Sequence, residues 1–163
     1  MIINIFEANL EPEDIKHLTP RKGARAILKH HDQFVLIYHD EWNLYTLPGG
    51  GIETNEDPLA ALKREIKEET GFSIKNCLPT VTLKEHFFDS IWEHHFFLCE
   101  TTGEQTPLTL TKEERASGHR VVFKTAAEVL DLFTSHKTDH LHHEAIYQRE
   151  FLGFIHSLET RDS

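Results

Sequence analysis

The chain has 163 residues, a length that suits one folded domain (residues 1–163) with a sizeable core and leaves little room for a second. Its 27 Asp and Glu against 17 Lys and Arg give a formal net charge of -10, which repels a polyanionic backbone and argues against nucleic acid as a partner. An anionic phosphate substrate meets the same obstacle unless a divalent metal neutralises the site.

In chain order, Ile2 to Phe6 reads as a short strand and Glu7 to His17 as a polar connection, with a turn of helix around Glu11 to Asp14. Ala24, Ala26 and Leu28 then alternate, His30 to Gln33 are polar, and Phe34 to Tyr38 is rich in β-formers, which predicts a hairpin. An extended piece from Asn43 to Leu47 delivers the chain to Gly49, Gly50 and Gly51. Further on, Thr80 to Phe87 and Ile91 to Cys99 predict a second hairpin turning at Asp89-Ser90. Glu100 to Gly118 shows no period and is expected to be a mobile loop. Arg120 to Phe123 is a strand, Thr125 and Glu128 form a capping box for a helix through Phe133, and a last helix runs from about Leu141 to Leu158. Strands, a central helix, more strands and closing helices predict an α/β fold with helices on both faces of a mixed sheet.

Cys77 and Cys99 each stand beside Leu in apolar surroundings, the pattern of buried reduced thiols. No run of 18 apolar residues occurs and the N-terminal stretch lacks a basic region followed by an apolar core, so a cytoplasmic chain without a membrane partner is expected.

The chemistry concentrates between Gly50 and Phe72. Asp57 is a good N-cap, Pro58 fits the first helical position, and Thr70-Gly71 supplies the stop. Within this helix Glu65, Glu68 and Glu69 fall at i, i+3 and i+4, on one side, while Leu59, Leu62 and Ile66 form a separate apolar stripe. Like charges at that spacing destabilise a bare helix by roughly 0.2–0.5 kcal/mol per pair, so the face is either fully solvated or used to hold a cation. Carboxylates without Cys or His favour a hard ion, Mg²⁺ or Mn²⁺. The preceding glycines let backbone approach a ligand closely, which makes Gly50 and Gly51 candidates for substrate binding. Trp42 and Tyr45, beside that loop, are the preferred candidates for stacking on a nucleobase; Phe87, Phe88 and Trp92 are further aromatic residues that could do so. His140, His142 and His143 do not converge on one helix face and are expected to be surface histidines.

Read from Gly50, five residues lead to Glu56, seven more to Arg64-Glu65-Ile66, then Lys67, Glu68-Glu69, Thr70, Gly71 and Phe72. This resembles the signature of the Nudix hydrolase family, G-x5-E-x7-R-E-U-x-E-E-x-G-U with U apolar, at every specified position. The resemblance implies an α/β/α sandwich and a metal-dependent hydrolase cleaving a diphosphate linkage in a nucleotide-type small molecule, such as a nucleoside triphosphate or an ADP-ribose-like compound. It implies Glu68 and Glu69 as metal ligands, Glu65 as a third ligand or a base, and the Gly49 carbonyl as a backbone ligand. Arg64 would pair within the loop-helix unit, with Glu53 or Glu56 as partner. A general base could also come from a later loop, where Glu113 and Glu114 stand. Family members are often homodimers. A nucleotide-sensing module on the same fold is the alternative; an isoprenoid diphosphate isomerase is disfavoured because neither cysteine stands in a recognisable version of that site. A proline expected of ADP-ribose enzymes is replaced by Phe87 and Phe88.

Overall fold

A computed structural model describes residues 1–161. Its elements are β1 (Ile2–Phe6), α1 (Pro12–Ile15), β2 (Arg21–His30), β3 (Gln33–His39), β4 (Leu44–Thr46), β5 (Gly49–Gly51), α2 (Pro58–Thr70), β6 (Ser73–His86), β7 (Ile91–Thr102), α3 (Lys112–Ala116), β8 (His119–Lys124), α4 (Ala126–Ser135) and α5 (His143–Arg161). The strands form one mixed sheet in the order β1-β6-β7-β2-β3-β4, with β5 on β2 and β8 on β3. β1 runs parallel to β6 and β2 parallel to β7; the other pairings are antiparallel.

Strand alternation distributes the core between two faces. On one face Ala24, Ala26 and Leu28 of β2 pack with Leu62, Ile66 and Phe72 of the α2 region. The two alanines leave room for the helix to lie close. On the other, Ile27, Leu83 and Phe96 pack with Phe133 of α4 and with Tyr147 and Phe154 of α5. Helices therefore cover both faces of a mixed sheet, the α/β/α arrangement that the family resemblance implies.

One split in the sheet positions the site. β2 and β3 pair through only three residue pairs, Leu28 to His30 with Gln33 to Val35. Beyond them β5 takes the edge of β2, with Gly49 opposite Arg25, and β4 takes the edge of β3. The glycines expected as a loop are thus a short strand, and the chain between β4 and β5 crosses the gap, where the Pro48 carbonyl accepts the Ala26 N–H at 2.9 Å.

The stretch from Glu100 to Gly118 differs from the mobile loop expected. β7 continues to Thr102, and Thr111 caps the short helix α3 through a capping box with Glu114. Beside this local box, Gln105, Thr106 and Thr109 bond to the end of α2, contacts that no sequence period announces. Of the two cysteines, both free, Cys99 is buried and Cys77 half-buried.

Candidate active site

Local chemistry places the acidic face of α2 against the glycine strand. The Asp57 carboxylate accepts the N–H groups of Leu59 and Ala60, Pro58 follows at the first position, and Gly71 ends the helix in the left-handed region with φ 75°. Leu62 and Ile66 are fully buried on the sheet, which turns Glu65, Glu68 and Glu69 toward the split between β2 and β3. The three differ sharply in exposure: the side chain of Glu68 is 38% exposed and that of Glu65 14%, while Glu69 as a residue is 9% exposed.

Glu69 is held at both ends. Its Oε2 accepts the Gly49 N–H at 2.8 Å, and its carbonyl accepts from His119 Nε2 at 2.9 Å. Burial pushes its carboxyl up to about 8; the Gly49 N–H and the charge of Arg25 pull the other way, and Glu65 and Glu114 push it further up. Burial raises Glu65 as well, against the opposing hydrogen bond from Arg64. The Glu65 carboxyl group lies directly over Gly50, so a Cβ there would have to displace it.

Arg64 gathers the loop. Its Nε and Nη2 donate to the two oxygens of Glu56, each at 3.0 Å, and Nη2 donates also to the Gly51 carbonyl at 3.1 Å. Nη1 reaches Glu65 Oε1 at 2.7 Å and Glu68 Oε2 at 3.6 Å. The Glu56 hydrogen bond is the main reason the guanidinium is raised, and Glu56 is lowered in return. Of the two partners expected, Glu56 is the one engaged. Glu53 contributes its backbone N–H to Glu56 Oε2 at 3.0 Å.

α3 carries Glu113 and Glu114 to the same end of the molecule. Glu113 is exposed, whereas Glu114 is half-buried, accepts the Thr111 N–H at 2.7 Å through Oε2, and acts electrostatically on both Glu65 and Glu69. Among the described residues no three His, Cys, Asp or Glu side chains stand together as a ready metal cage. Arg64 lies between Glu65 and Glu68, which explains why these carboxylates do not close on a common centre.

On the other face of the sheet, under the N-terminal half of α5, is a cavity of about 1090 Å³ lined among others by Arg25, Glu85, Phe88, Trp92, His94 and Arg149. Arg25 joins the two regions: it lines the cavity, faces Gly49 across the β2–β5 pair and donates to the Leu47 carbonyl at 3.0 Å. Sequence reasoning missed it, although a lone arginine between Ala24 and Ala26 in an alternating strand was an available signal. Trp42 and Tyr45 do not line this cavity. Trp42 packs edge-on against His140, with its carbonyl bonded to Thr138 and Asp139, and Tyr45 packs against Tyr38 and His136. Both rings face the segment joining α4 and α5, and His140, against which Trp42 packs, itself lines the cavity.

A family model described as the NUDIX domain matches residues 14–149. The chain belongs to this family. Among curated Nudix-like relatives, the 8-oxo-dGTP diphosphatase of Proteus vulgaris is 32% identical over 94 residues, 56% of this chain and 82% of that protein. The CMP-5'-(N-acetyl-N-hydroxy-3-aminopropyl)phosphonate hydrolase of Streptomyces rubellomurinus is 28% identical over 114 residues, 63% of this chain and 55% of that one. This match therefore spans about half the length of the Streptomyces relative. Among solved structures, the NUDIX hydrolase from Nitrosomonas europaea superposes with a TM-score of 0.64 at 18% identity, covering 87% of this chain and 90% of that one, which shows the fold. Among the described residues no helix is long and apolar enough to cross a membrane.

Proposed function

We propose that this chain is a divalent-metal-dependent pyrophosphohydrolase, one Nudix unit that cleaves the diphosphate linkage of a small nucleotide-type molecule, a nucleoside triphosphate or an ADP-ribose-like compound. One observation carries the reading. Glu69 is a buried carboxyl raised to about 8, beside a raised Glu65 and a partly open Glu68, an arrangement that a hard cation relieves. The donor set fits Mg²⁺, with Mn²⁺ as substitute: Glu65, Glu68, Glu69 and the Gly49 carbonyl offer oxygen alone. When bound, such an ion supplies neutralising charge for a diphosphate and an acidified water.

The chain's own groups do the rest. Arg64 stays anchored by Glu56 and the Gly51 carbonyl when Glu65 and Glu68 turn to a cation. Gly50 and Gly51 offer backbone without side chains to the phosphates; a Cβ on Gly51 would meet nothing within 4 Å, so its surroundings are open. Glu114, with Oε2 fixed by its cap and less exposed than Glu113, would take the proton of the attacking water at Oε1. The nucleoside part enters the cavity under α5, which Arg25 links to the glycine strand, and there Phe88 and Trp92 provide stacking faces in place of Trp42 and Tyr45. The name of the Proteus relative favours a nucleoside triphosphate.

The test is hydrolysis of nucleoside triphosphates, ADP-ribose, dinucleoside polyphosphates and NADH with Mg²⁺, Mn²⁺ or chelator, following products by chromatography. Metal-dependent cleavage of one of them is the expected result. Stabilisation by nucleotides without turnover would overturn it in favour of a sensing module.

A further inference from the structure

The C-terminal end of a helix leaves its last carbonyls without intrahelical partners. In α2 four consecutive carbonyls, Glu68 to Gly71, are each taken by a donor from residues 105–119. The Thr109 N–H donates to Glu68 at 2.8 Å, His119 Nε2 to Glu69 at 2.9 Å, and Gln105 Nε2 to Thr70 at 2.8 Å. Gly71 accepts from the Thr106 N–H at 2.8 Å and the Thr106 hydroxyl at 3.0 Å. Gly71 makes this approach possible, because a Cβ there would collide with the Thr106 carbonyl oxygen.

The other end of the segment is fastened to the sheet. The Glu41 N–H donates to the Ser117 carbonyl at 2.9 Å, and β8 begins at His119, opposite His39 of β3. Between the two ends lies α3, which carries Glu114. One continuous piece of chain therefore touches four successive carbonyls, Glu68 to Gly71, at the helix end that bears the carboxylates, and also carries Glu114.

We propose that residues 105–119 form a positioning strap that sets the rotation of the last turn of α2, and that His119 is its principal positioning residue. The inference rests on the role given above to Glu68 and Glu69. His119 is buried, and a carbonyl only accepts, so Nε2 carries the hydrogen; Nδ1 is buried without a hydrogen-bond partner among the described residues. Because the Glu69 carboxylate is tied to Gly49 and its carbonyl to His119, loss of either tie lets the residue turn. Displacements of about 1 Å in such groups cost binding and rate far beyond their effect on the fold.

The test compares His119→Leu, which removes the donor, with His119→Gln, which retains an N–H at similar reach. Affinity for Mn²⁺ is read from the paramagnetic resonance of the free ion, without substrate. Leu is expected to weaken Mn²⁺ binding and to lower kcat by about tenfold, with KM nearly unchanged, and Gln to restore most of both. Wild-type Mn²⁺ affinity and kcat in the Leu variant would overturn the proposal, whatever its melting temperature. Should that variant not fold, Gln105→Leu removes the donor to the Thr70 carbonyl from the same strap; about threefold weaker Mn²⁺ binding is expected, and unchanged affinity would contradict the strap. Amide exchange at Thr106 and Thr109 needs neither metal nor substrate, so it separates this inference from the function. Faster exchange in the Leu variant supports the strap even if the wild type binds no Mn²⁺, and unchanged exchange contradicts it.

Discussion

Two groups of charged side chains lie on opposite faces of the sheet and differ in how they are paired. Under α5, Glu150 is fully buried and fully engaged: Oε1 accepts from Arg149 Nε and Nη2, both at 2.7 Å, and Oε2 accepts the Leu47 N–H at 2.5 Å. Next to it Glu85, raised by burial, bonds a neutral His94 at 3.1 Å. Beside the glycine strand, Glu65 and Glu68 share the Arg64 guanidinium, which is itself committed to Glu56, while the Glu69 carboxylate accepts the Gly49 N–H. A buried charge with matched partners resists removal because its partners would be left unpaired. Crowded carboxylates with too few partners oppose folding and are kept for what they bind. On the function proposed above, the same residue types serve architecture under α5 and chemistry on α2.

The strongest way to break this distinction is Glu69→Gln. Turnover is expected to fall by about 10²–10⁴-fold, while the melting temperature holds or rises because a buried, strained carboxyl is replaced by a neutral amide. Parallel loss of both in kinetic and thermal assays would place Glu69 with Glu150 instead. Glu150→Ala is the counterpart. It leaves Arg149 and Arg25 facing an empty buried site and should cost about 3–5 kcal/mol of stability in denaturant unfolding. A smaller effect separates the two acids of α3: Glu114→Gln should lower kcat by about 10²-fold and Glu113→Gln by less than about twofold. Equal effects would remove the distinction drawn from their exposure.

The smallest effect is one of pH. Burial first, and then Arg149 and Arg25, push His94 down to about 2, so between pH 6.5 and 5 the unfolded chain binds a proton there that the folded chain does not. Stability from this group is complete above the unfolded pKa and declines on acidification by about 1.4 kcal/mol per pH unit, roughly 2 kcal/mol over that interval. His39, lowered to about 4 mainly by burial, acts in the same sense, and the raised Glu85 in the opposite one. His94→Gln isolates one share: its unfolding free energy should fall less steeply between pH 6.5 and 5 than that of the wild type. An unchanged slope would mean that His94 is charged in the fold.

The legibility of these regions follows the range of their contacts. The N-cap at Asp57, the stop at Gly71 and the spacing of Glu65, Glu68 and Glu69 all lie within one helix, and the strand alternation that separates Ala24 and Ala26 from Ile27 is equally local. These features were readable. The strap was not, because its bonds join residues 35 to 50 positions apart through backbone groups and through Thr, Gln and His side chains that also suit a solvated loop. The cavity is assembled from β2, β6, β7 and α5 among other segments, so no single stretch announces it.

The most direct test of the central claim is a crystal soaked in MnCl₂ and measured for anomalous scattering. The account predicts a peak at about 2.1 Å from carboxylate oxygens of Glu68 and Glu69, with Glu65 or the Gly49 carbonyl alongside and Arg64 withdrawn to Glu56 and Gly51. A fully occupied peak elsewhere, or none with Arg64 still lodged between Glu65 and Glu68, would contradict it.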